Sequence, residues 1–266
     1  MESGQVDARN AEGLRAKGSR LRLREGAARL RRLLYPPACL ACGDLAESEA
    51  GLCPPCWRDA GFLQGVLVCD LCGAALPGRD DGEVQCDDCL RQPPPWSRGR
   101  AALAYGGTGR ALVLALKHGD RTDLAPALGG WMAAVAAPLL AGVRRPVLVP
   151  VPLHWTRLLA RRYNQAQHLA AGVARVLDLP VRVDALCRTR RTAPQGAGGR
   201  AGRLAALEGA IRPHPRRAGG VEGCTAILVD DVLTTGATLG ACARALRAAG
   251  AADVRVLVLA RAGRDG

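Results

Sequence analysis

The run Ala226-Ile227-Leu228-Val229-Asp230-Asp231-Val232-Leu233-Thr234-Thr235-Gly236-Ala237-Thr238-Leu239 organises the whole chain. Ala226 to Val229 is a short apolar stretch bounded by polar residues, the pattern of a buried strand in a parallel sheet, and from Ala237 onward the pattern is helical. The polar residues between them therefore sit at the carboxyl end of a strand, where open α/β sheets bind ligands. A tight Thr/Gly loop that opens a helix offers backbone N–H groups and the positive end of the helix dipole to an anion. Thr234, Thr235, Gly236, Ala237 and Thr238 thus form a candidate phosphate cradle. Asp230 and Asp231 lie too close to it to be phosphate ligands themselves, but carboxylates can accept hydrogen bonds from two neighbouring hydroxyls, as on a ribose. Phosphate beside a vicinal diol describes a ribose 5-phosphate. A Walker loop is excluded, since Gly236-Ala237-Thr238 lacks the required lysine. An ordinary capped helix would need one such polar residue and not the whole run.

At 266 residues the chain can bury a substantial core and has room for one large domain and one small one. No stretch reaches the roughly 18 apolar residues of a membrane span. No apolar signal-peptide core stands at the N-terminus, so a soluble cytoplasmic protein is expected. The net charge of +13 is unevenly spread: residues 1–34 carry +5, residues 35–92 carry −7 and residues 93–266 carry +15. A basic excess invites a polyanionic partner, and the acidic middle segment is a poor grip for a phosphate backbone.

That acidic segment holds eight of the eleven cysteines, in four Cys-x-x-Cys pairs. Cys39/Cys42 is followed after ten residues by Cys53/Cys56, and Cys69/Cys72 after thirteen by Cys86/Cys89. Each such turn can aim two sulfurs at one ion, and two turns complete a closed tetrahedral site, so two structural Cys₄ zinc sites are expected. Gly43 and Gly73, each directly after the first pair of its half, suit the turn of a zinc knuckle. Consecutive pairing is the first choice; spacing alone leaves an interleaved cross-brace open. The remaining three, Cys187, Cys224 and Cys242, read as small buried hydrophobes.

Residues 1–34 read either as a basic amphipathic arm, with leucines recurring among arginines from Leu21 to Leu34, or as a solvated flexible extension. Gln92-Pro93-Pro94-Pro95 is a stiff hinge. It separates a zinc module at 35–92 from an α/β domain at 98–266. Within that domain Ala101 to Tyr105, Val147 to Val149, Val181 to Val183 and Val254 to Ala260 read as strands. Arg110 to Leu116 and Gly129 to Leu140 read as helices, and Gly106-Gly107-Thr108-Gly109 as a turn. Lys117 stands out because the chain has only one other lysine against 35 arginines. A compact ammonium suits a phosphate or phosphodiester. Arg157, Arg161 and Arg162 precede Tyr163-Asn164-Gln165 at a helix start, where arginines can bind a diphosphate and amides can orient a ligand or fix a loop. His154, near a strand end, suits a structural role better than a ligand contact. Arg188 to Arg203, basic and glycine-rich with Thr192 and Gln195, reads as a mobile loop suited to closing over an anion.

The Asp-Asp-Val-Leu-Thr-Thr-Gly-Ala-Thr core resembles the phosphoribosyl pyrophosphate (PRPP) signature of type I phosphoribosyltransferases. By that resemblance Asp230 and Asp231 hold the ribose hydroxyls, Thr234 to Thr238 cradle the 5-phosphate, and the Pro150 to His154 loop faces the pyrophosphate. Together with the paired cysteines, Leu116-Lys117, Pro150-Val151-Pro152, Arg161 through Gln165, Thr192, Gln195 and Arg203, the chain from about Tyr35 to Arg261 resembles the ComF family. These are double-zinc-ribbon, phosphoribosyltransferase-like proteins linked to DNA uptake in competent bacteria. The resemblance implies a type I phosphoribosyltransferase-like parallel sheet flanked by helices, with a small N-terminal double zinc-ribbon module. It also implies structural zinc, Mg²⁺ accompanying PRPP, and Lys117, Val151, Pro152, Arg161, Asn164, Gln165, Gln195 and Arg203 as pyrophosphate or loop residues. Two positions depart from the family pattern: Arg162 stands where glycine is common, and Ala206 where asparagine is common.

Two classes of function follow. One is phosphoribosyl transfer from PRPP to a nitrogen acceptor with release of pyrophosphate, for which no residue stands out as the acceptor's base. The other is a non-catalytic PRPP or nucleotide sensor, or a component that engages incoming single-stranded DNA, in contact with other uptake proteins. An aromatic content of 3% offers few platforms for base stacking.

Overall fold

The computed structural model describes residues 36–48, 51–79, 82–190 and 209–263. The chain divides into two compact units, Met1–Pro54 and Pro55–Gly266.

In the first unit the chain folds into a tight knuckle. Ala38 bridges Leu45 antiparallel, Gly43 N–H donates to Cys39 O at 3.0 Å and Cys39 N–H to Asp44 O at 2.6 Å. The same pattern recurs in the second unit, where Val68 bridges Ala75, Gly73 N–H donates to Cys69 O and Cys69 N–H to Ala74 O, both at 2.8 Å. Gly43 and Gly73 take φ of +83° and +69°, the left-handed conformation that a side chain resists.

Short helices α1 (Pro54–Asp59) and α2 (Asp87–Arg91) each begin directly after the first cysteine of a pair and carry the second, Cys56 and Cys89. The α/β part then runs β1 (Arg98–Ala104), α3 (Gly107–His118), α4 (Ala125–Ala134), α5 (Ala137–Leu140), β2 (Pro146–Pro150), α6 (Trp155–Arg161) and α7 (Gln165–Leu177). It continues with β3 (Leu186–Arg188), β4 (Ile211–Pro213), β5 (Thr225–Leu233), α8 (Ala237–Ala248) and β6 (Asp253–Arg261). Four strands form a parallel sheet in the order β1-β6-β5-β2; β3 and β4 make a separate antiparallel pair. Because side chains alternate along β5, one face buries Ala226 and Leu228 with Leu239, Cys242 and Leu246 of α8. The other face meets α7. Among the described residues no helix is long and apolar enough to cross a membrane.

Four local expectations change. Gly106-Gly107-Thr108-Gly109 is not a free turn: Gly106 caps α3 and the rest form its first turn. The Asp59 carboxylate accepts from Thr108 N–H at 2.7 Å and from Thr108 Oγ1 at 2.8 Å, a negative charge at a helix N-terminus. The helix expected over 129–140 breaks at Val135-Ala136, because Pro138 has no N–H to continue the ladder and restarts the chain as α5. Val181 to Val183 gives a single parallel bridge, Val181 to Leu148, since Pro180 precedes it without an N–H and Val183 is 45% exposed. Cys187 is only half-buried, on the small β3–β4 ribbon.

Candidate active site and metal centres

Strand β5 runs on through both acids to Leu233, so Asp230 and Asp231 lie within the strand and project to opposite faces of the sheet. Asp231 is 6% exposed. Its Oδ1 lies 3.0 Å from Lys117 Nζ, at the last turn of α3, and its Oδ2 accepts from Gln165 Nε2 at 3.3 Å. The other amide atom of that glutamine, Oε1, is buried and has no partner among the described residues.

The segment before α7 fixes this arrangement. Asn164 caps the helix, its Oδ1 accepting from Ala166 N–H at 3.0 Å while its Nδ2 donates to Val151 O at 3.0 Å. Tyr163 donates its hydroxyl to Leu116 O at 2.6 Å. Lys117, Val151, Asn164, Gln165 and Asp231 are thereby brought into one network from α3, the loop after β2, α7 and β5. Pro152 follows Val151 in that loop and is half-buried, as is Arg161 at the end of α6. Gln195 and Arg203 lie outside the described residues, as does Thr192. His154 is buried and caps α6, its Nδ1 accepting from Thr156 N–H at 3.3 Å, which is the structural role.

On the opposite face Asp230 is half-buried. Burial first, then the charge of Asp231, pushes its carboxyl up to about 7, against the pull of Lys117 and Arg188. The Thr234 to Thr238 loop leads into α8, whose N-cap is Gly236 at φ +75° with no side chain capping the helix. The first-turn N–H groups of a helix have no intrahelical partner, so they are available to an anion here.

Each cysteine group converges. The Sγ atoms of Cys39, Cys42, Cys53 and Cys56 lie within 4.8 Å of one another, as do those of Cys69, Cys72, Cys86 and Cys89. Cys42 and Cys53 are 3.6 Å apart, and Cys72 and Cys86 3.7 Å. Zinc–sulfur bonds of about 2.3 Å at tetrahedral angles require about 3.8 Å between sulfurs, so both groups fit a zinc ion. Within the second group, the Cys72 thiol hydrogen-bonds to Cys69 and holds it down to about 4, while that bond and burial push Cys72 up. Metal binding displaces the protons from the thiols of such a group and binds the resulting thiolates.

A double zinc ribbon domain model matches residues 30–90, and a phosphoribosyl transferase domain model matches residues 164–266. The chain is 32% identical over 233 residues to the DNA utilization protein YhgH of Escherichia coli O157:H7, covering 86% of this chain and 99% of that one. It is 30% identical over 239 residues to Competence protein F of Haemophilus influenzae, covering 84% and 96% respectively. The chain belongs to the ComF family. Among solved structures, a hypoxanthine phosphoribosyltransferase from Staphylococcus aureus aligns at 13% identity over 56% of this chain and 69% of that one, with a TM-score of 0.32. An overlap that low adds nothing to the family assignment.

Within this ComF-family chain two residues join the site that the sequence did not point to, Arg261 and Trp96, and a third, Arg188, expected at the start of a mobile loop, instead lies in a strand paired with Ile211. Arg261, at the end of β6, donates from Nη1 to Leu233 O and Thr234 O, both at 3.2 Å, and so holds the start of the loop. Arg188 ends β3 close enough to favour the charged form of Asp230. Trp96 lies against Gly236. The first has a signal in pairing, because Arg261 is the register partner of Leu233; that pairing is invisible until the sheet order is known. Arg162, where the ComF family commonly has glycine, nonetheless adopts φ +66°, closing α6 with its N–H on Leu158 O at 2.7 Å. The glycine-type backbone shape is kept without the glycine.

Proposed function

We propose that this chain binds PRPP with Mg²⁺ at the carboxyl end of β5 and transfers its phosphoribosyl group to a nitrogen acceptor, releasing pyrophosphate, in the service of DNA uptake. The observation that carries this is Asp231 held from two sides by Lys117 and Gln165, next to a helix whose N-cap is a bare glycine. Asp230 and Asp231 take the ribose hydroxyls, and the Thr234 to Thr238 N–H and hydroxyl groups take the 5-phosphate. The pyrophosphate and its Mg²⁺ fall to Lys117, to the Val151-Pro152 loop and to Arg161, with Gln195 and Arg203 contributing from the basic segment. Asn164 and Gln165 keep these parts in register. Displacement at the anomeric carbon breaks the bond to the pyrophosphate oxygen and forms one to nitrogen through an oxocarbenium-like state, which fixed charges and hydroxyl acceptors stabilise. The zinc sites are closed structural centres that take no part in the bond exchange itself. A screen of purine, pyrimidine and amine acceptors for pyrophosphate release from PRPP tests the transfer; release with none of them, from protein that binds PRPP, would leave a sensor.

A second reading is favoured by the +15 charge of residues 93–266 and by a relative named for DNA utilization. Here the domain contacts single-stranded DNA through its backbone, and uptake proteins are its partners. Binding would then weaken steeply with salt and change little when aromatic residues are substituted.

A further inference from the structure

The second cysteine site is wired to the Thr234 to Thr238 loop through one side chain. Asp70 and Leu71 are the two residues between Cys69 and Cys72. Leu71 O accepts the indole N–H of Trp96 at 2.6 Å, and Asp70 O accepts Gly99 N–H at 2.8 Å. The Asp70 carboxylate is fixed in turn by Val84 N–H at 2.8 Å and by Arg100 Nη2 at 2.5 Å. Gly73, which ends the knuckle, has no room for a side chain, because a Cβ there would stand 2.9 Å from Ala101 N. The knuckle is thus seated on β1.

The far edge of the Trp96 ring meets Gly236. A Cβ on Gly236 would stand 2.9 Å from Trp96 Cη2 and 3.8 Å from Cζ2, so the indole backs the loop where it turns left-handed. Its neighbours fasten it to α8 and to β6. Pro95 Cγ would lie 3.5 Å from a Cβ on Gly240, and Pro95 O accepts from Arg247 Nε at 3.3 Å. Ser97 N–H donates to Val254 O at 2.9 Å. One apolar cluster contains Cys69, Cys72, Cys89, Trp96, Ala237 and Leu239.

We propose that Trp96 is a positioning residue through which metal occupancy of the Cys69, Cys72, Cys86 and Cys89 site sets how firmly the Thr234 to Thr238 loop holds a phosphate. The second half of the statement rests on that loop being the phosphate site. Metal fixes the Cys69–Cys72 turn and with it the Leu71 carbonyl. Without metal the turn is released, the buried indole N–H loses its acceptor, and the ring no longer has one enforced position beneath Gly236. Coupling of this kind is reciprocal: what the metal does for phosphate binding, phosphate binding does for metal retention.

The test uses the full chain. The Gly240 N–H, bonded to Gly236 O at 2.7 Å, reports on the loop by hydrogen exchange. Trp96→Phe and Cys86→Ser should each speed its exchange, and the double variant should be no faster than either alone. Cys42→Ser, in the other site, is the control; equal loosening there would mean general destabilisation and would overturn the coupling. Stripping zinc from the wild type with a chelator gives the same comparison without touching Trp96, should that substitution impair folding. PRPP with Mg²⁺ should bind about five- to tenfold more weakly to Trp96→Phe and should protect the second zinc from chelator in wild type but not in Trp96→Phe. Unchanged exchange in a folded, zinc-loaded Trp96→Phe would refute the coupling. Coupled exchange in a wild type that binds no PRPP would keep the coupling and reject the phosphate site.

Discussion

Lys117 Nζ stands 3.0 Å from Asp231 Oδ1, with the lysine side chain 24% exposed and the carboxylate 9%. In a chain with 35 arginines and two lysines, the residue that reaches this carboxylate is a lysine. A compact ammonium fits beside Asp231 while Gln165 holds the other oxygen. Lys117→Met leaves a buried carboxylate with one neutral partner, and should cost about 1–3 kcal/mol in denaturant unfolding. Lys117→Arg keeps the charge and should recover only part of the loss, because a planar fork cannot occupy the same place.

The carboxyl of Asp230, raised to about 7 by burial and by Asp231, makes a pH-dependent contribution with a definite sign. Its folded value lies above the ordinary unfolded one of about 3.9, so its contribution to stability is complete below pH 4 and is lost as pH rises through about 7. Asp230→Asn should therefore be more stable than wild type at pH 8, by an amount on the order of 1–3 kcal/mol, and no more stable at pH 4. Urea unfolding across pH 4 to 8 reads this directly.

Arg162 holds a left-handed backbone, at φ +66°, that glycine adopts freely. Arg162→Gly should raise stability by roughly 0.5–1 kcal/mol, seen as a melting temperature higher by a few degrees. A fall would mean that the exposed guanidinium makes a contribution larger than the backbone strain it imposes.

Zinc content should be two per chain, since each of two thiol groups has the spacing of a tetrahedral site. Chelation or acidification should release it with a fall in melting temperature, because protons compete with metal for the thiolates. Release with no loss of stability would show that the knuckles hold their shape without metal.

Much of this was legible in the sequence. The strand and helix around Asp230 could be read because apolar periodicity and a Thr/Gly loop coincide there. The cysteine groups could be read because Cys-x-x-Cys spacing is local. What could not be read depends on neighbours brought in by the sheet. Trp96 and Arg261 meet the loop only because β1 and β5 both pair with β6. Asp59, far from α3 in sequence, caps it across a fold contact. The single bridge at Val181 shows the converse, a β-branched triplet whose propensity is not matched by burial on the sheet edge.

The most direct measurement is calorimetric titration of PRPP with Mg²⁺ into zinc-loaded wild type and into Asp230→Asn/Asp231→Asn, with folding and zinc content verified in both. The proposed site requires binding by the wild type that the double substitution abolishes. No binding by the wild type, or equal binding by both, would contradict it.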